Sequence, residues 1–454
     1  MTIPSDRKPP AADQATLFDL PSAELPVPAA PAGVGRPRLR RANRDQIVFR
    51  ALPLDALLPA DHTARVIWAY VAGIDLTTLH DAIGSVHGGS GRAATDPRIL
   101  LALWLYATAD GVGSARELDR LCRDHVAYQW IAGDVPMNYH TLADFRTDHV
   151  ALLDDLLTRS VATLLAEGLI ELNRVAQDGM RVRASAGAAS FRRRPTLDEA
   201  LTQAEAQVEA LREEAAGDPA ASDRRQKAAR ERAARERADR IKAALARLPE
   251  LEARKKAEEK DKARCSTTDP EATVMKMADG GFRPAYNVQF ATTVGGQAIV
   301  GVDVIASGSD AGQLAPMVGQ IRDRSGVAPS AMLADGGFAQ HDQIDAVSGP
   351  EVGCTVYAPV PEPRDPKVDR HAAKPGDGAA VAAWRARMAT PEAKEIYKGR
   401  AATAECVNAL ARGRGLVRFV VRGLAKVRAV ALWHAVAHNV MRMATLRAAA
   451  VAAV

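Results

Sequence analysis

Apolar positions in the first third of the chain keep a helical period. Between Asp55 and about Leu172, the residues Ile99, Leu100, Leu103, Trp104 and Ala107 recur at helical spacing behind Asp96-Pro97. That pattern predicts a helix with Asp96 as its N-cap and proline in its first turn. Ser114 is the expected cap of a second helix, with Leu118, Leu121 and Cys122 on one side. A third begins near Asn138 or Thr141 and presents Leu142, Phe145 and His149. Short helices separated by a turn at Gly133-Asp134 fit helix-turn-helix arithmetic, an arrangement also common in proteins that bind no nucleic acid.

Beyond Leu172 the period becomes extended. Strands are expected over Val175 to Ala184, Tyr286 to Thr293, Ala298 to Ile305, Ala331 to Ala334 and Thr355 to Val360. Helical stretches at Asp310 to Arg324 and Gln340 to Val347 alternate with the later strands. Three strands followed by strands alternating with helices suit a mixed sheet covered by helices, an α+β or α/β architecture.

A charged segment, residues 185–280, separates the first two strands. Leu197, Leu201, Ala204, Val208 and Leu211 keep four-three spacing, as do Ile241, Leu245 and Leu248. Gly217-Asp218-Pro219 breaks the run, so an antiparallel coiled-coil hairpin is expected rather than one rod. Eight basic and three acidic residues lie between Arg224 and Arg240, which suits either a solvated face or a DNA-contacting arm.

Charge adds a direction. The net charge is +5 and the pI about 9.0, which leans toward an anionic partner. Arg36, Arg38, Arg40, Arg41 and Arg44 crowd a Pro- and Ala-rich stretch, residues 1–45, that is expected to be disordered. Its Gly35-Arg36-Pro37-Arg38 run resembles a minor-groove AT-hook core, with a solvated basic tail as the plainer reading. Cys122, Cys265, Cys354 and Cys406 show no zinc spacing and no disulfide framework, which fits a reducing cytosol. The longest apolar stretch, Ile99 to Ala109, is too short for a membrane span, and the start of the chain does not read as a signal peptide.

The candidate chemistry is carboxylate chemistry. Asp178 lies in an extended run that turns at Gly179, and Asp335 ends a short apolar strand before Gly336-Gly337. A carboxylate at a strand's mouth is where open sheets place their ligands. Glu405 falls in a helix expected from Ala401. Such a triplet can bracket two Mg²⁺ ions roughly 3.5–4 Å apart for in-line phosphodiester displacement.

The chain resembles bacterial insertion-sequence DDE transposases along most of its length. The resemblance rests on Asp96-Pro-Arg-Ile-Leu-Leu-Ala-Leu-Trp-Leu-Tyr106, Gly113-Ser-Ala-Arg-Glu-Leu118 and Asn138-Tyr-His-Thr-Leu-Ala-Asp-Phe-Arg146. It continues through Ser266-Thr-Thr-Asp-Pro-Glu271, Ala285-Tyr-Asn-Val-Gln289, Ser309-Asp310 and Tyr397-x-x-Arg400 leading to Glu405. The resemblance implies an RNase H-like catalytic sheet over 173–450, an all-α DNA-binding domain over 46–172, and the hairpin insertion at 185–280. It implies Asp178, Asp335 and Glu405 as catalytic metal ligands for two Mg²⁺, with Mn²⁺ accepted. Tyr397 and Arg400 are then expected to position DNA. Arg412 stands where the family's signature carries a lysine, and the Arg400-to-Glu405 spacing is one residue longer than the commonest form.

Further DNA contacts are expected from Arg418, Arg422 and Lys426 on one face of a helix running on from Arg412, and from His140 and Arg146 in the helix-turn-helix. The implied activity is cleavage of an element's terminal inverted repeats and strand transfer by a cytosolic enzyme, acting on double-stranded DNA as a dimer or higher oligomer. A host-recruited RNase H-like nuclease or a non-catalytic DNA-binding protein are the alternatives.

Overall fold

Among the described residues, seven α-helices precede the first strand: α1 (Thr63–Ala72), α2 (Thr77–Asp81), α3 (Pro97–Asp110), α4 (Ala115–Asp124), α5 (Val126–Ala132), α6 (Tyr139–Asp148) and α7 (Val150–Ala166). The computed structural model describes residues 51–85, 93–217 and 224–453, so the tail with Arg36 and Arg38 lies outside the described residues. Local chemistry sets these helix ends. Asp96 caps α3, Ser114 caps α4 and Asn138 caps α6, each accepting a backbone N–H two or three residues on. Gly133 and Asp134 turn the chain between α5 and α6 with φ of 59° and 65°.

β1 (Val175–Arg183) follows, and then the insertion. A two-stranded ribbon, β2 (Phe191–Arg192) against β3 (Cys265–Ser266), closes its base. Between them α8 (Arg194–Gly217) and α9 (Arg224–Ala253) pack side by side. Ion pairs Arg194–Glu252, Lys242–Glu205 and Arg212–Glu231 run in opposite directions along the two helices, so the pair is antiparallel. Leu197 and Ala204 bury against Ala238, Ile241, Ala244 and Leu248. Because the hairpin returns the chain to its starting point, the sheet forms across it. Replacing residues 190–262 with a short flexible linker should leave a cooperative thermal melt. A variant that unfolds would make the hairpin part of the core.

The sheet continues with β4 (Thr273–Lys276), β5 (Phe282–Thr293), β6 (Ile299–Ile305), β7 (Ala331–Leu333) and β8 (Thr355–Tyr357). Its central order is β6-β5-β1-β7-β8, with β4 beside β6 on the outer edge of β5. β6, β5 and β1 are antiparallel; β1, β7 and β8 are parallel. The helices of this half are α10 (Leu314–Ser325), α11 (His341–Ser348), α12 (Ala379–Ala389), α13 (Pro391–Arg400), α14 (Cys406–Gly413) and α15 (Leu424–Ala452). Trp384 of α12 donates to Ala358 O and Arg387 to Val356 O, fastening that helix beside β8.

The helix expected across Arg412–Arg428 is not formed. Gly415 and Gly423 adopt φ of 87° and 86°, and a side chain at Gly415 would meet Gly111 O at 2.9 Å. Residues 414–423 instead cross to the end of β1, where Arg183 N bonds Val417 O and Phe419 N bonds Arg183 O. Arg418 and Arg422 therefore do not share a helix face with Lys426. The Ser266–Glu271 run serves this crossing. Asp269 accepts from Tyr286 Oη at 2.7 Å and Gly423 N at 3.2 Å, and Glu271 accepts from Leu424 N at the start of α15.

Residues Leu52–Val454 form one compact unit, and one core joins the early helices to the sheet. α15 is its axle, packed on α7, α3 and α6 on one side and on β6 on the other. No helix among the described residues is long and apolar enough to cross a membrane.

Among the buried polar groups on α15, Asn439 and His438 are hydrogen-bonded, while His434 Nδ1 has no partner among the described residues. Asn439 holds both backbone groups of Ile299, and His438 bonds Gln297 O at 2.8 Å. Burial pushes His434 down to about 3 and His438 down to about 4 from an ordinary 6.5. Both are neutral in the fold, so their contribution is complete above pH 6.5. It is lost as pH falls below that value, where the unfolded chain takes up two protons the folded one refuses. Stability in urea should drop from pH 6.5 to 5 by up to about 2.7 kcal/mol per pH unit, two protons at 1.36 each. The buried carboxyls of Asp178 and Asp269, raised by desolvation, oppose part of that slope. A flat profile would mean that these imidazoles reach solvent.

Candidate active site

β1 delivers Asp178 to the middle of the sheet, and parallel pairing with β7 sets Asp335 just past the neighbouring strand end. Asp335 turns its carboxylate back onto Gly337 N at 2.8 Å. Glu405 arrives from the other direction, on the helical path of α13 and α14.

That path contains a π-helical turn, Ala401–Glu405. In an uninterrupted α-helix residue 405 would lie about 140° around the axis from residue 400. A π turn absorbs one additional residue, which brings Glu405 back toward the face of Arg400. The extra residue in the Arg400-to-Glu405 spacing is thus taken up in the backbone, and the two side chains approach to 3.8 Å.

Arg400 is the hub of the site. Its guanidinium lies 3.1 Å from Asp178, 3.9 Å from Asp335 and 3.8 Å from Glu405, and is only 13% exposed. Tyr397, one turn earlier, is half-buried, and burial raises its phenol. Asp178 also accepts from Asn408 Nδ2 at 2.9 Å and from Gly179 N. Burial pushes the Asp178 carboxyl up, Arg400 pulls it back down, and the negative charges of Asp335 and Asp310 add to the rise.

Two members of this constellation were not among the expected site residues, although Asp310 lies in the Ser309-Asp310 run that carries the resemblance. Asn408 stands three residues past Glu405 on the same helix face, a spacing that is visible only once the helix is phased. Its Oδ1 is buried with no hydrogen-bond partner. Asp310 comes from the connection between β6 and α10. Its Oδ1 accepts from Asn287 Nδ2 at 2.7 Å and Gln289 Nε2 at 2.6 Å, both buried on β5. It lies over Gly179, where an added Cβ would stand 2.2 Å from Asp310 Oδ1, 2.5 Å from Gln289 and 2.7 Å from Asn287.

The remaining expected residues are scattered. Arg412 is exposed on α14 and lines a cleft with Gly179. Arg418 and Arg422 are exposed on the crossing segment, with Arg422 Nε bonded to Ser185 O, and Lys426 is exposed in the first turn of α15. His140 is exposed on α6. Arg146 is not available to a ligand. It is buried, donates to Gly113 O and stacks 4.8 Å over Trp104, because α15 covers that side of α6.

In donor chemistry the site suits a hard divalent cation. It gathers carboxylate oxygens plus the orphaned Asn408 Oδ1, around a place where a guanidinium already meets three acids. Among the described residues no group of three or more acids, histidines or cysteines converges closely enough to enclose an ion by itself. An open arrangement of this kind leaves coordination positions for water and substrate phosphate.

Two family models match the chain. One, described as "Transposase domain (DUF772)", matches residues 52–148; the other, described as "Transposase DDE domain", matches residues 363–444. The second contains Tyr397, Arg400, Glu405 and Asn408 and leaves Asp178 and Asp335 outside its span. Neither the curated proteins nor the solved structures include a match to this chain.

Proposed function

Because the chain belongs with the insertion-sequence DDE transposases, we propose that it binds the terminal inverted repeats of its element, cleaves the DNA strands there and joins them to a target. The observation carrying this reading is the meeting of Asp178, Asp335 and Glu405 around Arg400. They come from two adjacent parallel strands and a distant helical turn, an arrangement that supports reading the sheet as RNase H-like.

Asp178, Asp335 and Glu405 would hold two Mg²⁺ ions, or Mn²⁺ in their place, with Asn408 steadying Asp178. When bound, the metal pair supplies activation of the attacking oxygen and charge neutralisation at the leaving one. The chain's own residues supply the rest. Arg400 balances the three acids in the absence of substrate and offers its fork to a phosphate when one arrives. Tyr397, half-buried one turn earlier, walls the same side. The buried amides of Asn287 and Gln289 hold Asp310 fixed beside Gly179, so the floor of the site does not shift as charge builds.

Recognition of the ends is assigned to α4–α6, with His140 on the exposed side, and Arg36 and Arg38 adding sequence-independent affinity. The enzyme is expected to act in the cytosol as a dimer or higher oligomer on DNA. Deleting residues 1–45 should weaken binding equally on end and random DNA and flatten its salt dependence. Loss of end preference on that deletion would reassign recognition to the tail. A host nuclease of the same fold would cut without joining.

A further inference from the structure

Beyond Asp178, β1 alternates its side chains so that Gly179, Arg181 and Arg183 face one side, and both arginines are exposed. They floor a cleft of about 360 Å³. Arg283, from the start of β5, closes one side of it, and Arg412 with Val417 closes the other. Four arginines thus line the cleft against a single carboxylate, Asp279, which is paired to Arg283 at 2.7 Å. Among the described residues the guanidiniums of Arg181, Arg183 and Arg412 have no acidic partner. The Arg181 guanidinium donates to Gly308 O at 2.8 Å, and among the described residues those of Arg183 and Arg412 have no acceptor. None of the three arginines contributed by β1 and β5 stood out in the sequence, because strand alternation and the β4–β5 hairpin bring them together.

We propose that this cleft is the track for the DNA backbone leaving the reacting phosphate. The inference rests on the transposase reading above and deepens it, giving the substrate strand a direction across the protein. Unpaired guanidiniums converging on one cavity repel each other unless an anion joins them. The guanidinium fork matches phosphate oxygens better than it matches any neutral group. Position selects the occupant. Asp178 turns to the other side of β1, toward Asn408, and Arg412 stands one helical turn past Asn408, so a strand that presents one phosphodiester to Asp178 passes the edge of β1 beyond its pairing with β7 and meets Arg412, Arg181 and Arg183. From Gly179 to Arg183 the strand advances about 13 Å. With its arginines on backbone phosphates rather than base edges, the track carries affinity without sequence preference.

The test is a salt titration of DNA binding by the full-length protein, using labelled duplexes with and without the element's end. The double variant Arg183→Ala/Arg412→Ala leaves no buried group unpaired and should melt like the wild type. Its log–log salt slope should be shallower by about two, equally on both duplexes. Arg183→Lys/Arg412→Lys keeps the charges and should restore most of the slope, and it serves as the readout should the alanine pair fold poorly. Unchanged slope and affinity in the alanine pair, or in the Arg183→Glu single variant, would overturn the track. A loss confined to end DNA would also overturn it, because backbone contacts do not read sequence. If the wild type bound neither duplex, the transposase reading would fail before the track was reached.

Discussion

Changing Asp178 or Asp335 to Asn, or Glu405 to Gln, is expected to abolish strand cleavage while leaving the fold and end binding nearly intact. Each exchange removes one negative charge and almost no volume. The metal-borne charge stabilisation these carboxylates would support is worth several kcal/mol, so cleavage should fall roughly a thousandfold or more. The three variants should differ in stability. Asp178 is the most enclosed, at 18% side-chain exposure, and accepts from Arg400, Asn408 and a backbone N–H. An amide there turns one end donor-to-donor and costs about 1–3 kcal/mol. Glu405, 64% exposed and 3.8 Å from Arg400, should lose activity with no measurable change in melting. The assay is cleavage of end-containing DNA in Mg²⁺ and in Mn²⁺, beside a thermal melt. Wild-type cleavage by any one variant removes that residue from the site.

Gly179→Ala should be nearly as damaging, through packing alone. The new methyl would fall 2.2 Å from Asp310 Oδ1 and 2.5 Å from Gln289 Nε2. These neighbours cannot swing aside: Gln289 and Asn287 are buried, and both grip Asp310. Overpacking of this kind costs about 1–3 kcal/mol and forces a backbone or side-chain shift. The shift occurs one residue from Asp178, so cleavage should fall far more than stability does. Asp310→Asn probes the same floor without a clash, and it should cut more slowly at unchanged melting temperature. Normal cleavage by Gly179→Ala would mean that Asp310 and its amides play no part in the chemistry.

How far the sequence foretold this depends on how local each signal is. Asp96, Ser114 and Asn138 announce their helices because a capping side chain acts within its own turn. β1, β5 and β6 were legible because apolar runs bounded by turn residues need only a two-residue period. The hairpin was legible from four-three spacing and the break at Gly217-Asp218-Pro219. What failed was set by tertiary contact. Arg412 to Arg428 reads as an amphipathic helix, but Gly415 is pressed against Gly111 and Arg183 holds the segment through a single parallel bridge. Arg146 reads as a basic residue on a recognition helix, and nothing near it in sequence reveals that α15, almost three hundred residues later, buries it against Trp104. The three acids were proposed from the family pattern. Asp310 and Asn408 join them only through pairing registers and a π turn.

This site is proposed to cut and join DNA. The direct measurement incubates purified full-length protein with a fragment bearing the element's two ends, a target plasmid and Mg²⁺, and looks for end fragments covalently joined to the plasmid. Joined product from the wild type, absent with Asp335→Asn and absent without divalent metal, is the predicted result. End binding without cleavage in either Mg²⁺ or Mn²⁺, or cleavage that persists in Asp335→Asn, would contradict it.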